Sequence, residues 1–222
     1  MLHVSAVSGP SGGAFVATEL RSIELSNQAS AALRQGRADE AITLHKQALE
    51  LKLQTNPELC VKTGITYNGL GEALLRAGRL DEADDAFSKA LTIREREGPA
   101  QDAAMTRDNV GQLREAQGRF ADAREVRLRG AAKKTIMCGN YDCPTQGTFA
   151  LDKLSACSAC KSVFYCSRAC QKKDWATRHK PLCQAHTAAS QPTKPADTQL
   201  NPQNGSQKAD SQPAGPQDTT SA

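Results

Sequence analysis

The chain has 222 residues and a formal net charge of +4, which allows one or two modest domains with tails. Apolar residues make up 39% of the chain and aromatic residues only 4%, a composition that argues against a sheet-rich fold and favours helices. Because no run of about 18 apolar residues occurs and residues 1–16 contain no Lys or Arg, neither a membrane span nor a signal peptide is predicted.

Composition divides the chain into four segments. Residues 1–16 are rich in Ser and Gly and are predicted to be disordered. Residues 17–134 are rich in Ala, Leu, Arg and Glu, as helical proteins are, whereas residues 135–185 contain seven of the eight cysteines. Residues 186–222 consist largely of Gln, Pro, Ser, Thr and Ala. This tail is predicted to be disordered, because it cannot bury enough apolar surface to offset its ordering entropy.

A short phrase occurs three times within residues 17–134. It begins with Gly-Arg at Gly36, Gly78 and Gly118, glycines that are 42 and 40 residues apart. Apolar residues at helical spacing precede and follow each glycine, which predicts a helix, a tight turn and a second helix. Breaks between these hairpins are predicted at Asn56-Pro57 and Gly98-Pro99, because proline lacks an amide donor and restricts the residue before it.

The middle hairpin resembles a tetratricopeptide repeat. That pattern has a large residue and Leu-Gly on its first helix and an aromatic residue between alanines on its second, here Tyr67, Leu70, Gly71, Ala83, Phe87 and Ala90. The period is longer than the usual length of about 34 residues and is similar to the roughly 42-residue repeat of kinesin light chains. The resemblance implies a short solenoid of three helical hairpins that binds a peptide or a partner helix on its concave face.

The cysteine spacing predicts two zinc sites. The candidate ligands form four close pairs, namely Cys138 with Cys143, Cys157 with Cys160, Cys166 with Cys170, and His179 with Cys183. In a chain that is not secreted, such pairs indicate metal binding and not disulfides. Thiolate and imidazole ligands suit zinc, and eight of them are enough for two tetrahedral ions. Spacing alone leaves open whether the pairs form two separate fingers or an interleaved brace.

The residues around these ligands resemble a MYND finger. The resemblance lies in residues 156–160, 164–167 and 170–175, followed by the His179 and Cys183 pair. In that family the pairs are interleaved, which assigns one zinc to Cys138, Cys143, Cys166 and Cys170 and the other to Cys157, Cys160, His179 and Cys183. The first pair departs from the family's usual Cys-x2-Cys spacing, because four residues separate its two cysteines.

The same resemblance implies a binding surface. MYND fingers bind short proline-rich peptides, and the positions that they use correspond here to Ser158, Gln171 and Trp175. A helix is predicted from Ser167, as its N-cap, to the residue before Pro181. His186 lies beyond the ligand set and is predicted to be a solvated residue of the tail.

The sequence therefore predicts a mainly α protein in which a tetratricopeptide-like solenoid precedes a two-zinc cross-brace finger. Its predicted function is that of an adaptor that binds proteins or proline-rich peptides, and not that of an enzyme, because closed four-ligand zinc sites leave no position for water. Two alternatives are a transcriptional corepressor-type regulator and a remnant of the MYND and SET methyltransferases without their catalytic domain.

Partners and location follow from charge and composition. Residues 133–180 hold nine basic side chains against three aspartates, but seven thiolates and two zinc ions would reduce this formal +6 to about +3. A nucleic-acid partner is therefore not predicted, and neither is a membrane partner. The expected location is inside the cell, in the cytoplasm or the nucleus.

Overall fold

The computed structural model describes residues 12–189. Six helices of this range form three hairpins, namely α1 (Gly12–Arg34) with α2 (Ala38–Thr55), α3 (Val61–Arg76) with α4 (Leu80–Arg96), and α5 (Ala100–Ala116) with α6 (Phe120–Leu128). The finger follows in the same compact unit. Its elements are β1 (Ile136–Met137), β2 (Thr148–Phe149), β3 (Ser155–Ala156), β4 (Phe164–Tyr165), α7 (Arg168–Asp174), a π-helical turn (Trp175–His179) and α8 (Lys180–Ala189).

The four strands form two separate antiparallel ribbons. β1 pairs with β2, with Ile136 opposite Phe149, and β3 pairs with β4, with Ser155 opposite Tyr165. Each ribbon has only two residues per strand, so it cannot be stable alone. Its stability must come from contacts that the residues of its loops make.

Each turn glycine of the three repeats adopts the left-handed conformation that favours glycine. The φ angles of Gly36, Gly78 and Gly118 are 78°, 75° and 76°. The amide after each glycine donates to a carbonyl five residues earlier, as Arg79 does to Leu74 at 2.9 Å. This bond ends the first helix of each hairpin. The predicted breaks between hairpins are also confirmed, because neither proline of those breaks lies within a helix.

The core of the repeats lies between the facing helices. Leu74 of α3, Phe87 of α4 and Leu113 of α5 are buried in one apolar cluster. Gly71 lets α3 pack closely on α4, because a Cβ atom at this position would lie 2.6 Å from the Phe87 ring. The small residue of the repeat pattern is therefore required by the packing of this ring.

The structure corrects both predicted limits of the ordered region. α1 begins at Gly12, so disorder was wrongly predicted for residues 12–16, and residues 1–11 lie outside the described range. Residues 12–16 can join the helix at little cost, because the later turns of α1 are already packed and no new helix nucleus has to form. α8 continues to Ala189, so disorder was also wrongly predicted for residues 186–189, while residues 190–222 lie outside the described range.

The helix predicted after Ser167 begins correctly but ends later than predicted. The Ser167 hydroxyl accepts a hydrogen bond from the Cys170 amide at 3.2 Å, as an N-cap should. Pro181 does not end the helix, because it lies in the first turn of α8, directly after the π-helical turn. The π-helical turn changes the hydrogen-bonding pattern directly before Pro181, so the helix continues past a residue that has no amide donor. Within residues 12–189, no helix combines the length and the apolarity that a membrane crossing requires.

Candidate metal centre

The finger brings eight ligand atoms together in two groups of four. One group consists of Cys138, Cys143, Cys166 and Cys170, and the other of Cys157, Cys160, His179 and Cys183. Within each group all ligand atoms lie within 4.8 Å of one another. This is the interleaved order that the MYND resemblance implies, and the longer spacing of the first pair does not prevent it.

The distances within each group match the edges of a zinc tetrahedron. The Sγ atom of Cys166 lies 3.6 Å from those of Cys143 and Cys170. In the second group, the sulfur atoms of Cys157 and Cys183 are 3.9 Å apart, and Cys160 Sγ lies 3.4 Å from His179 Nε2. Four sulfur ligands at the usual Zn–S length of about 2.3 Å would be about 3.8 Å apart. The two groups therefore fit two zinc ions.

The short ribbons and helices of the finger position these ligands. Cys157 and Cys160 lie in the loop between β3 and β4, where the Cys157 amide donates to the Val163 carbonyl at 2.9 Å. Cys138 and Cys143 lie in the loop after β1, and the Gly139 amide donates to the Phe164 carbonyl at 2.8 Å. The first bond closes the loop between β3 and β4, and the second attaches the loop after β1 to strand β4, so ligands that are distant in the sequence come together.

Few apolar side chains support the finger. Its core cluster contains five buried cysteines and only two other buried residues, Val163 and Tyr165, with Phe149 and Trp175 packed against it. The Tyr165 hydroxyl donates to Asp174 at 2.7 Å. Burial and this carboxylate hold the pKa of Tyr165 above its usual range, so the hydroxyl keeps its proton. The metal ligands themselves form most of the core.

A buried ionic cluster joins the finger to the third hairpin. Glu115 of α5 is 1% exposed and accepts hydrogen bonds from Arg127 at 2.6 Å, Arg178 at 2.7 Å and the Ser162 hydroxyl at 2.9 Å. Burial opposes ionisation of Glu115, but the charge of Arg127 and the contacts with His179 and Arg178 prevail, so the Glu115 pKa lies below its ordinary value. Glu115, a residue of the repeats, is therefore negatively charged where the third hairpin contacts the finger.

The ionic cluster reaches the second metal group. Glu115 Oε2 lies 3.7 Å from His179 Nδ1, the ring nitrogen that faces away from Cys160. Zinc-bound histidines usually direct this second nitrogen towards a carboxylate, which fixes the ring and its tautomer. Sequence reasoning missed Glu115, Arg127 and Arg178, because no local pattern marks an ion pair between residues so far apart.

Other contacts extend this interface along α6. Arg124 donates to the Lys161 carbonyl at 2.7 Å, and its guanidinium lies 5.5 Å from the Phe164 ring centroid. His186 of α8 stacks on Phe120, with ring centroids 4.0 Å apart and an interplanar angle of 13°. The expectation that His186 is a solvated tail residue was therefore wrong.

The three predicted peptide-binding residues all lie at the finger. Ser158 is exposed in the loop between β3 and β4. Gln171 and Trp175 are half-buried and four residues apart, which places them on one side of the helix. Trp175 also packs against the cysteine cluster, with its ring centroid 5.9 Å from that of His179.

Comparisons with known proteins agree with this architecture. A family model of the tetratricopeptide repeat matches residues 21–96 and 62–126, and a family model of the MYND finger matches residues 137–183. Among curated proteins, the chain is 44% identical over 45 residues to "N-lysine methyltransferase SMYD2-B" of Danio rerio. That match covers 20% of this chain and spans only 10% of the length of the relative. No solved structure matches the chain.

Both matched modules are protein-interaction modules, and neither is itself catalytic. The match to the methyltransferase is confined to the finger. The chain therefore carries tetratricopeptide repeats over residues 21–126, followed by a MYND-type zinc finger over residues 137–183.

Proposed function

We propose that the chain is a non-enzymatic adaptor, in which the finger binds a proline-containing peptide of one protein and the repeats bind a second protein. The observation that carries this proposal is the buried cluster around Glu115, which holds two interaction modules in one unit. Partners bound at the two modules would be held at a fixed spacing.

The role that we assign to zinc is structural. Each group offers four ligands from the protein, the set that a closed tetrahedral site requires, so no position remains for a catalytic water. A remnant of a methyltransferase is the second candidate, because the matched relative bears that name. We favour the adaptor, because the match covers the finger and not the rest of that relative.

We further propose that the protein acts in the cytoplasm or the nucleus. All eight cysteines are free of disulfide bonds, and seven of them supply candidate zinc ligands. Such thiols persist in a reducing compartment.

The proposed peptide surface at Ser158, Gln171 and Trp175 can be tested by fluorescence. Trp175 is the only tryptophan of the chain, so its emission reports on this surface directly. A mixed peptide library with two fixed prolines is expected to change the emission of the zinc-loaded chain. Gln171→Ala is expected to weaken binding about tenfold, because it removes an amide able to hydrogen-bond the peptide.

Lys172→Ala is the matched control for this titration, because Lys172 is the exposed neighbour of Gln171 on the same helix. It is expected to bind as the wild type does. If Gln171→Ala keeps its zinc and its wild-type affinity, or if the library leaves the Trp175 emission unchanged, the proposed peptide surface is wrong.

A further inference from the structure

A basic cleft lies where the second and third hairpins meet the connection to the finger. It has a volume of about 370 Å³ and is lined by residues of α4, of α5 and of the connection after α6. None of its lining residues belongs to α1 or α3. Four lining side chains are basic and one is acidic, namely Arg94, Arg107, Arg129 and Lys133 against Glu95.

One side of α5 forms a wall of this basic cleft. Ala100, Ala103 and Arg107 line it and are three and four positions apart, so they lie on one face of the helix. Ala100 is the first residue of α5, and no side chain caps this end of the helix. The positive end of the helix dipole therefore lies at the cleft and adds to its positive charge.

Arg107 holds the connection to the finger against α5. It is 7% exposed, and its Nη2 atom donates to the carbonyl and the hydroxyl of Thr135 at 3.2 and 3.0 Å. Gly130 permits this close approach, because a Cβ atom there would lie 2.9 Å from Arg107 Nη2. The connection that carries Arg129 and Lys133 is thus fixed beside the two buried arginines of the cleft.

Arg94 is the basic group whose charge is least compensated. It is 5% exposed, and its Nη1 atom donates only to uncharged groups, the Thr106 hydroxyl at 2.8 Å and the Asp102 carbonyl at 3.2 Å. Its Nε atom, like that of Arg107, is buried without a hydrogen-bond partner. Burial lowers the Arg94 pKa although the charges of Asp102 and Glu72 oppose this shift. An anion in the cleft would supply the missing compensation at short range.

The carboxylates beside the other basic groups do not neutralise the cleft. Glu95 pairs with Arg107 at 3.3 Å, and Glu125 lies 3.9 Å from Arg129 in an exposed pair. Ion pairs of exposed side chains are weak, so both can open to an incoming anion. Within residues 12–189, no carboxylate lies within ion-pair distance of Lys133. The cleft therefore has an excess of positive charge.

A phosphate monoester suits this arrangement better than a carboxylate does. It carries about two negative charges at neutral pH and three strong acceptor oxygens, enough for several donors at once. Guanidinium groups bind phosphate through two parallel hydrogen bonds. None of the lining residues, all within residues 12–189, is aromatic, so the base of a nucleotide would find no ring on which to stack.

We propose that this cleft binds the phosphate group of a phosphorylated Ser or Thr side chain in a segment of a partner protein. Arg94 compensates the phosphate charge from the buried side of the cleft, and Arg129 and Lys133 do so from its exposed side. This assignment rests on the proposed adaptor function and specifies a chemical mark that the second partner carries. Binding at the repeats is then controlled by phosphorylation of that partner.

The test measures how strongly the zinc-loaded full chain retains two mixed-sequence peptide libraries. One library has phosphoserine or phosphothreonine at a fixed central position, and its counterpart has Ser or Thr there. The chain is expected to retain the phosphorylated library about tenfold more strongly, because the counterpart lacks the charge of the phosphate. Inorganic phosphate and a short RNA of mixed sequence are measured in parallel as other sources of the same anion.

The double substitution of Arg129→Gln and Lys133→Gln removes two exposed charges of the cleft and no buried contact. It is expected to lower retention of the phosphorylated library about tenfold. Arg21→Gln with Lys46→Gln is the matched control, because it removes two exposed charges from α1 and α2. This control is expected to retain the phosphorylated library as the wild type does.

Three outcomes would overturn this assignment. They are equal retention of the two libraries, wild-type retention by the double variant of the cleft, and binding of inorganic phosphate or RNA as tight as that of the phosphorylated peptides. If the proline library still changes the Trp175 emission in any of these cases, the proposed finger surface stands and only the phosphate site fails. A chain that binds neither the proline library nor the phosphorylated library would overturn the adaptor function as well.

Discussion

Removal of zinc by a chelator is expected to unfold the finger, residues 135–189, and to leave the repeat helices folded. The central buried cluster of the finger consists of five ligand cysteines with Val163 and Tyr165, and among residues 135–189 only Ile136 and Phe164 add further buried apolar side chains. Without the metal those thiolates would repel one another, and each ribbon has only two residues per strand. Zinc binding in small modules is worth about 10–16 kcal/mol, far more than this core can replace.

The amide NMR spectrum measures this effect residue by residue. After chelation, the finger amides are expected to collapse into the narrow range of unfolded chains, while the amides of α1 to α4 keep their shifts. Readdition of zinc should restore the original spectrum. A finger whose amides remain dispersed after complete removal of metal would show that its apolar contacts suffice.

Glu115→Ala is expected to destabilise the chain by about 3–5 kcal/mol, because it leaves buried arginines without their shared carboxylate. Arg127 is 2% exposed, and Arg178 reaches Glu115 from the finger side. The remaining partners, Asp108 and Asp174, each pair with only one of these arginines. The free energy of unfolding from urea titration measures the loss.

Glu125→Ala is the control for this substitution, because Glu125 lies on α6 but is exposed and 3.9 Å from its basic partner. Its cost is expected to be below about 1 kcal/mol. The Glu115 variant should also release zinc from the His179 group about tenfold faster, because the ring loses the carboxylate that orients it. Equal stability of the two variants would show that the ionic cluster does not join the modules.

Local sequence patterns were sufficient to predict the helical repeats and the residues that form the zinc sites. Gly78 predicts its turn because few other residues adopt a φ angle of 75°, and Gly71 predicts close packing because the ring of Phe87 occupies the space of its missing side chain. The pairing of the zinc ligands required the family resemblance, since spacing alone permits more than one arrangement.

Long-range contacts could not be predicted from such patterns. Glu115 pairs with Arg178, which is 63 positions away, in a chain with 24 acidic and 28 basic side chains that offer many equivalent pairs. The helix beyond Pro181 was missed for a different reason. A π-helical turn re-aligns the chain before the proline, and its sequence, Trp175–His179, contains no signal of this turn.

The central claim is that two zinc ions, each held by four protein ligands, support the finger. Native mass spectrometry of the full chain tests it most directly, because the mass of the folded protein gives the number of bound ions. Two zinc ions per chain are expected, as the two four-ligand groups require. A folded finger with one zinc ion, or with none, would contradict the claim.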